Sequence, residues 1–150
     1  MTTEAARRLL EDLNDEQRDA VESVGGPLLI IAGPGSGKTR VITHRIAYLV
    51  RVLGVTPHRV LAVTFTNKAA REMRSRLEVL LGERASELTV GTFHNLGVRI
   101  LRAHGEGIGV PKGFVIYDQD DQREVVKRAL QDIGIDKNFT PRVVHNAISG

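Results

Sequence analysis

Short continuous apolar runs alternate along the chain with segments whose apolar residues recur at helical spacing. The runs cover residues 28–32, 60–65 and, more weakly, 88–90. Continuous rather than alternating apolarity is typical of strands buried on both faces, as in a parallel sheet. Three strands, each followed by a helix, therefore predict a doubly wound α/β domain with right-handed crossovers.

Each helix in this scheme has a recognisable apolar face or boundary. Gly82 and Gly105 are stop signals for the second and third helices. Before the first strand, Asn14 and Gln17 have the spacing of a capping box, which predicts a further helix. The three apolar faces are Ile42, Ile46, Leu49, Val50 and Leu53; Ala69, Met73, Leu77, Leu80 and Leu81; and Phe93, Leu96, Gly97, Ile100 and Leu101.

The composition changes at residues 105–109, where three glycines precede Pro111. Such a cluster is typical of a hinge or linker, and it predicts a boundary between residues 1–110 and residues 111–150. Beyond it, Asp118 is a predicted helix cap, and Thr140 with Pro141 predicts the start of another helix. The second part is therefore expected to open a helical subdomain.

Composition narrows the class of protein. Apolar residues make up 41% and charged residues 26% of the 150 residues, as in soluble globular domains. No apolar run approaches the roughly 20 residues that span a bilayer, and the polar N-terminus lacks the pattern of a signal peptide. Together with the absence of cysteine, this predicts a cytoplasmic protein with no membrane partner. The net charge of +3 weakly favours an anionic partner and allows nucleic acid.

The strongest chemical signal is the glycine-rich segment 33–39, which lies between the first predicted strand and a helix. Its glycines allow backbone N–H groups to converge on phosphates, Lys38 reaches the β- and γ-phosphates, and Thr39 offers a hydroxyl to magnesium. Ala32 stands where the usual pattern has glycine, but the loop still has the required position. The segment predicts a site for a purine nucleoside triphosphate with Mg²⁺; its residues are Gly33, Pro34, Gly35, Ser36, Gly37, Lys38 and Thr39.

Gln17 has two compatible interpretations. Its amide can complete the capping box that Asn14 begins. It can also make a bidentate contact to the edge of adenine, as glutamine does to adenine in DNA.

Polar and aromatic residues follow the second and third predicted strands. In open α/β sheets the carboxyl ends of the strands are where ligands bind, so these residues could hold a nucleic acid strand by stacking and phosphate contacts. Thr66, Asn67 and Thr92 could instead be helix caps, and the two phenylalanines could be core residues. The candidate set for such a strand is Phe65, Thr66, Asn67, Thr92, Phe93 and His94.

Taken together, four motifs closely resemble those of the UvrD/Rep/PcrA helicases of superfamily 1. The resemblance extends over essentially the whole chain, and alanine at position 32 is the usual residue in that family. The motifs are Leu13, Asn14, Gln17, Ala20 and Val21; residues 32–40; residues 64–73; and residues 91–94 with residues 98–102.

The resemblance implies roles for individual residues. Gln17 resembles the adenine-reading glutamine, and residues 33–39 with Arg40 resemble the motif that binds ATP. Lys38 and Thr39 resemble its catalytic phosphate and Mg²⁺ residues. The residues after the second and third strands, 65–67 and 92–94, resemble the motifs that line the path of single-stranded DNA.

The resemblance also implies an activity and an architecture. Family members are ATP-dependent 3′–5′ helicases that act on single-stranded DNA and single-strand/duplex junctions in repair and replication. Residues 1–110 would be the first part of a P-loop NTPase (RecA-like) domain 1A, with a parallel sheet and flanking helices. Residues 111–150 would begin the helical subdomain 1B.

Other parts of such an enzyme are not found in the sequence. The family's Asp-Glu-x-Gln motif, which supplies the catalytic glutamate, has no match in residues 1–150. We therefore expect the chain to be the N-terminal portion of a longer helicase, to work with the remaining helicase domains, and to hydrolyse ATP negligibly by itself. Two alternatives stay open: a helicase-like nuclease or recombination subunit, and a non-motor P-loop module.

Overall fold

The computed structural model describes residues 4–134 and 140–149, so residues 1–3, 135–139 and 150 lie outside the described residues. It divides into two compact units, Met1–Ile100 and Leu101–Gly150. In chain order the helices and strands are α1 (Glu4–Leu10), α2 (Asp15–Glu22), α3 (Lys38–Arg51), β1 (Leu61–Thr64), α4 (Asn67–Leu81), β2 (Thr89–Thr92), α5 (Phe93–His104), α6 (Gln119–Asp132) and α7 (Pro141–Ser149). None of the helices described is long and apolar enough to cross a membrane.

The sheet has two parallel strands, with α4 between them in sequence. Leu61 of β1 lies opposite Thr89 of β2, and the register continues to Thr64 opposite Thr92. A parallel pair needs a long crossover, which α4 supplies. The prediction of an α/β architecture with parallel strands is thus confirmed, and both strands end at the same edge.

The predicted strand at residues 28–32 is wrong. These residues have no regular secondary structure, and Leu29 and Ile31 are 82% and 88% exposed. A strand forms only where a neighbouring strand pairs with its backbone groups. In the described part of the chain β1 and β2 pair with each other, and no other strand lies beside residues 28–32. Burial on both faces is also absent from β1, where Leu61 is half exposed.

Two apolar clusters hold the first unit together. The larger joins α3 and α4 to the sheet, and Leu77 and Val50 are its most deeply buried large side chains. A smaller one lies beneath α2. The helix α1, which has seven residues and was not expected from the sequence, contributes Leu9 to the larger cluster and Leu10 to the smaller. The larger cluster is Leu9, Ile46, Ala47, Val50, Ala62, Met73, Leu77, Leu81, Ala85, Leu88 and Val90, and the smaller is Leu10, Leu13, Val21 and Val41.

The second unit contains a 3₁₀ turn, Gly105–Ile108, followed by α6 and α7. Gly105 is buried, and a Cβ there would lie 3.0 Å from the Cβ of Val110, so the turn is closely packed. The helices α6 and α7 contact each other, with a hydrogen bond of 2.6 Å between the His145 ring and the Gln122 amide oxygen. Both helices begin where the caps in the sequence predict.

The cap of α6 predicts a pH dependence. Backbone N–H groups of Asp121 and Asp120 donate to the Asp118 carboxylate and hold the pKa of that carboxyl below its ordinary value. A lowered folded-state pKa adds stability above the unfolded-state pKa, and this is lost as pH falls through the folded-state pKa. We expect the helical signal of α6 in far-UV circular dichroism to decrease in that acidic range. Asp118→Asn, an uncharged cap, should remove this component; an unchanged acid transition in that variant would contradict the assignment.

Candidate functional site

The glycine-rich loop forms a tight turn before α3. Gly35 and Gly37 have φ values of +75° and +84°, in the left-handed region that favours glycine. The Ser36 hydroxyl donates to the Gly33 carbonyl at 2.7 Å, and the Ser36 N–H donates to the same oxygen at 3.4 Å. The loop is therefore shaped by its own backbone and by a serine that closes the turn.

The start of α3 is suited to an anion. Its N-cap is Gly37, which offers no side chain to the first N–H groups, and its first turn has no acidic residue. The first turn instead contains Lys38 and Arg40, although the positive end of a helix disfavours cations. Free N–H groups, the helix dipole and two cations together favour a negatively charged ligand at this end.

Lys38 lies across the loop. Its ammonium donates to the carbonyls of Ala32 at 2.8 Å and Gly33 at 2.6 Å. The side chain of Arg40 points to Asp12 instead, with an exposed ion pair of 3.5 Å that contributes little to stability. Thr39 follows Lys38 on α3 and is partly buried. Lysine and threonine thus lie next to each other at the helix start, as the loop motif predicts.

Gln17 joins α2 to this loop. The predicted capping box is present: the Asn14 side chain accepts from the Gln17 N–H at 2.9 Å, and the Gln17 Oε1 accepts from the Asn14 N–H at 3.3 Å. The Gln17 Nε2 also donates to the Ser36 carbonyl at 3.0 Å. A Cβ at Gly37 would lie 2.8 Å from Nε2, so a larger residue there would displace this amide from its present position.

The Gln17 amide retains hydrogen-bonding capacity. A glutamine amide has two N–H donors and an oxygen with two lone pairs. The contacts to Ser36 and Asn14 use one of each. One donor and one lone pair remain, which is the combination that a bidentate contact to adenine requires.

A second group of candidate residues follows β1 and β2. The rings of Phe65 and Phe93 lie 5.4 Å apart between centroids and are tilted by 53°. Phe65 is 89% exposed and Phe93 52% exposed, so neither is the core residue that the sequence also allowed. Exposing two aromatic rings in contact is unfavourable in water, which makes the pair a candidate platform for a planar ligand.

The polar residues around this aromatic pair divide into two kinds. Thr66 is the N-cap of α4, and its hydroxyl accepts from the Ala69 N–H at 3.1 Å. Thr92 is buried, and its hydroxyl accepts from the Asn95 N–H at 3.3 Å. Asn67 and His94 are exposed. The two threonines therefore have structural hydrogen bonds here, whereas the asparagine and the histidine face solvent.

One residue that sequence analysis did not single out joins the two edges. Arg74 of α4 donates from Nη2 to the Val90 carbonyl of β2 at 2.8 Å. It therefore ties the helix that follows Phe65 to the strand that precedes Phe93. No local pattern signals this contact, because it depends on how α4 packs on the sheet.

Comparison with models of protein families identifies the family of the chain. The model of the UvrD/REP helicase N-terminal domain matches residues 13–149. The chain belongs to this helicase family. The match spans both units, and the resemblance drawn from the four motifs is confirmed.

Individual UvrD/REP relatives agree with this assignment. The chain is 54% identical over 143 residues to the ATP-dependent DNA helicase PcrA of Leuconostoc citreum, covering 94% of this chain and 19% of that protein. It is 52% identical over 142 residues to the ATP-dependent DNA helicase PcrA of Staphylococcus aureus, covering 94% of this chain and 20% of the relative. The chain thus spans about a fifth of the length of these relatives.

Proposed function

We propose that this chain is the ATP-binding N-terminal portion of an ATP-dependent 3′–5′ DNA helicase that translocates on single-stranded DNA. The observation that carries the proposal is the hydrogen bond from Gln17 to the phosphate-binding loop, because it joins a candidate base-reading group to a candidate phosphate-binding group. The relatives at 54% and 52% identity are ATP-dependent DNA helicases, which supports the same activity for the full-length protein.

The residues present fit ATP with Mg²⁺. Backbone N–H groups at the start of α3 would bind phosphate oxygens, and Lys38 would exchange its two carbonyl acceptors for the β- and γ-phosphates. Thr39 would offer its hydroxyl to Mg²⁺. Among the described residues no cluster of three acidic, histidine or cysteine side chains could hold a metal.

Adenine would be read by the Gln17 amide. The remaining Nε2 donor would bind N7 of the base, and the remaining Oε1 lone pair would accept from its N6 amino group. Guanine has an acceptor oxygen where adenine has that amino group, so it would face Oε1 with a repulsive contact. The site should therefore prefer ATP over GTP.

Single-stranded DNA would bind along the edge that carries Phe65 and Phe93. Stacking of a base on an exposed aromatic ring needs no particular sequence, as a translocating enzyme requires. Asn67 and His94 would contribute polar contacts beside the rings, and Thr66 and Thr92 would support the edge through their backbone caps. By the same family resemblance we propose that the full-length protein acts on single-strand/duplex junctions. We also propose that it works in repair or replication and that it is cytoplasmic.

The proposal extends to the architecture. Residues 28–32 carry exposed apolar side chains directly before the phosphate-binding loop. We propose that the first unit belongs to a RecA-like P-loop domain, in which other parts of the full-length protein would cover these side chains. We retain the division into domain 1A over residues 1–110 and the start of subdomain 1B over residues 111–150 as part of this proposal.

Single-stranded DNA binding tests the function. We expect the full-length protein to bind an oligonucleotide with an affinity that falls as salt rises, because phosphate contacts release counterions. Phe65→Ala should weaken binding by about tenfold, since one stacked base contributes ~1–3 kcal/mol. Fluorescence anisotropy at two salt concentrations measures both effects.

Two conservative variants at the same position serve as controls. Phe65→Tyr keeps the aromatic face and should bind like the wild type, whereas Phe65→Leu keeps apolar volume alone and should bind like Phe65→Ala. If the full-length protein binds no DNA, the alternative of a non-motor P-loop module would replace the helicase proposal. Equal affinity of the wild type and the three variants would mean that Phe65 does not contact the DNA.

A further inference from the structure

Arg45 of α3 makes a long-range contact with the helix that carries Gln17. Its Nη1 donates to the Ala20 carbonyl at 2.7 Å, and the contact is partly buried. The two residues are 25 positions apart in the sequence. No acidic side chain among the described residues forms an ion pair with this guanidinium, so the backbone carbonyl is its partner.

The Ala20 carbonyl needs such a donor. It lies in the last turn of α2, where carbonyls have no partner within the helix. The last turn of α2 has no basic residue of its own, so Arg45 supplies both the hydrogen bond and the positive charge that favours the negative end of a helix. A cation on α3 therefore completes the terminus of α2.

This contact bears on Gln17 because α2 is short. Gln17 and Ala20 are three positions apart and therefore lie on the same side of the helix. The apolar contacts of Val21 and Val41 also hold the two helices together, but apolar packing is not directional. The hydrogen bond from Arg45 is directional, so it restrains rotation of α2 about its axis.

The amide of Gln17 lies directly against the phosphate-binding loop. Nε2 contacts the Ser36 carbonyl at 3.0 Å and would be only 2.8 Å from a Cβ at Gly37. A rotation of α2 would lengthen that hydrogen bond. It would also turn the remaining donor and lone pair away from a bound base.

We propose that Arg45 is a positioning residue for nucleotide selection: through the Ala20 carbonyl it holds α2 so that Gln17 faces the base, and it thereby supports the preference for adenine over guanine. The inference rests on the proposed function, in which Gln17 reads adenine. It adds a residue that touches neither base nor phosphate.

The test compares three ligands on the full-length protein: MgATP, MgGTP and magnesium tripolyphosphate, which has no base. In Arg45→Met, which keeps the apolar stem but removes the donors, we expect the ratio of GTP to ATP dissociation constants to fall about tenfold toward unity. Affinity for tripolyphosphate should stay within about twofold. Arg45→Lys, which restores a charged donor, should recover most of the ratio.

Matched variants distinguish positioning from folding. Arg51 lies on the same helix and also donates to a backbone carbonyl, that of Leu80 at 3.0 Å, so Arg51→Met should leave the ratio unchanged. Gln17→Ala should lower the ratio as far as Arg45→Met, and the double variant should fall no further. If Arg45→Met does not fold, Arg45→Leu, which also has no donor, gives the same comparison.

The outcomes separate the two proposals. An unchanged ratio in Arg45→Met, or an equal loss for all three ligands, would overturn the role of Arg45 while Gln17→Ala still lowers the ratio. A wild-type protein without nucleotide binding, or a Gln17→Ala variant with the wild-type ratio, would instead overturn the proposed reading of adenine by Gln17.

Discussion

Replacing Lys38 with alanine is expected to weaken MgATP binding by about 100-fold and to abolish ATP-driven unwinding by the full-length protein. A hydrogen bond to a charged group contributes ~1.5–3 kcal/mol, and Lys38 has two carbonyl contacts that phosphate oxygens would replace. A loss of ~2.8 kcal/mol corresponds to the 100-fold change. Titration calorimetry measures the affinity, and a strand-displacement assay measures unwinding.

The same variant should retain single-stranded DNA binding, because the proposed DNA surface is a different edge of the unit, the one that carries Phe65 and Phe93. It should also keep its folded stability, since the side chain is exposed and its cation opposes the dipole at the start of α3. Lys112→Ala removes another exposed lysine, which pairs with Glu106, and serves as the control for nucleotide affinity. Normal unwinding by Lys38→Ala would contradict the assignment of the loop as the ATP site.

The sequence predicted those parts of the site whose partners are close along the chain. The capping box joins Asn14 to Gln17, three residues away, and its geometry is as expected. The helix expected after the glycine-rich segment is also present, and Gly35 and Gly37 adopt left-handed conformations in the turn before it. Such features depend on local backbone geometry, so they can be inferred before the fold is known.

Other features depend on partners that the local sequence does not specify. Residues 28–32 are apolar enough for a buried strand, but a strand needs a neighbour, and the described chain provides none. Sequence alone also could not decide whether Thr92 faces a ligand or caps a helix; the structure buries it and uses it as a cap. The same limit explains why Arg45 was missed, since its carbonyl partner is 25 positions away.

The exposed aromatic pair could be predicted from the sequence only in part. Parallel strands place their carboxyl ends at one edge, which is why Phe65 and Phe93 could be expected near each other. That their rings touch at 5.4 Å while remaining open to solvent is a result of tertiary packing. The helix α4, which begins two residues after Phe65 and is bonded to β2 through Arg74, is therefore a candidate support for this surface.

Shortening Leu77 tests that support and carries the largest expected effect on stability. Leu77 is fully buried in the cluster that joins α4 to α3 and the sheet. Leu77→Ala should lower the free energy of unfolding by ~2–5 kcal/mol, because it removes apolar contacts and leaves a cavity. Small domains are stable by only ~5–15 kcal/mol, so the loss is a substantial fraction of the total. Urea denaturation followed by circular dichroism measures it.

Val79 on the same helix is the matched control, because its side chain is 85% exposed. Val79→Ala should change the free energy of unfolding by no more than ~0.5 kcal/mol. If α4 supports the edge at Phe65, Leu77→Ala should lose single-stranded DNA binding at the lower urea concentration at which this variant unfolds. At that same concentration Val79→Ala should still be folded and should still bind DNA. Equal stabilities of the two variants would mean that α4 does not pack through Leu77. Single-stranded DNA binding that persists after unfolding would mean that the aromatic pair does not depend on this core.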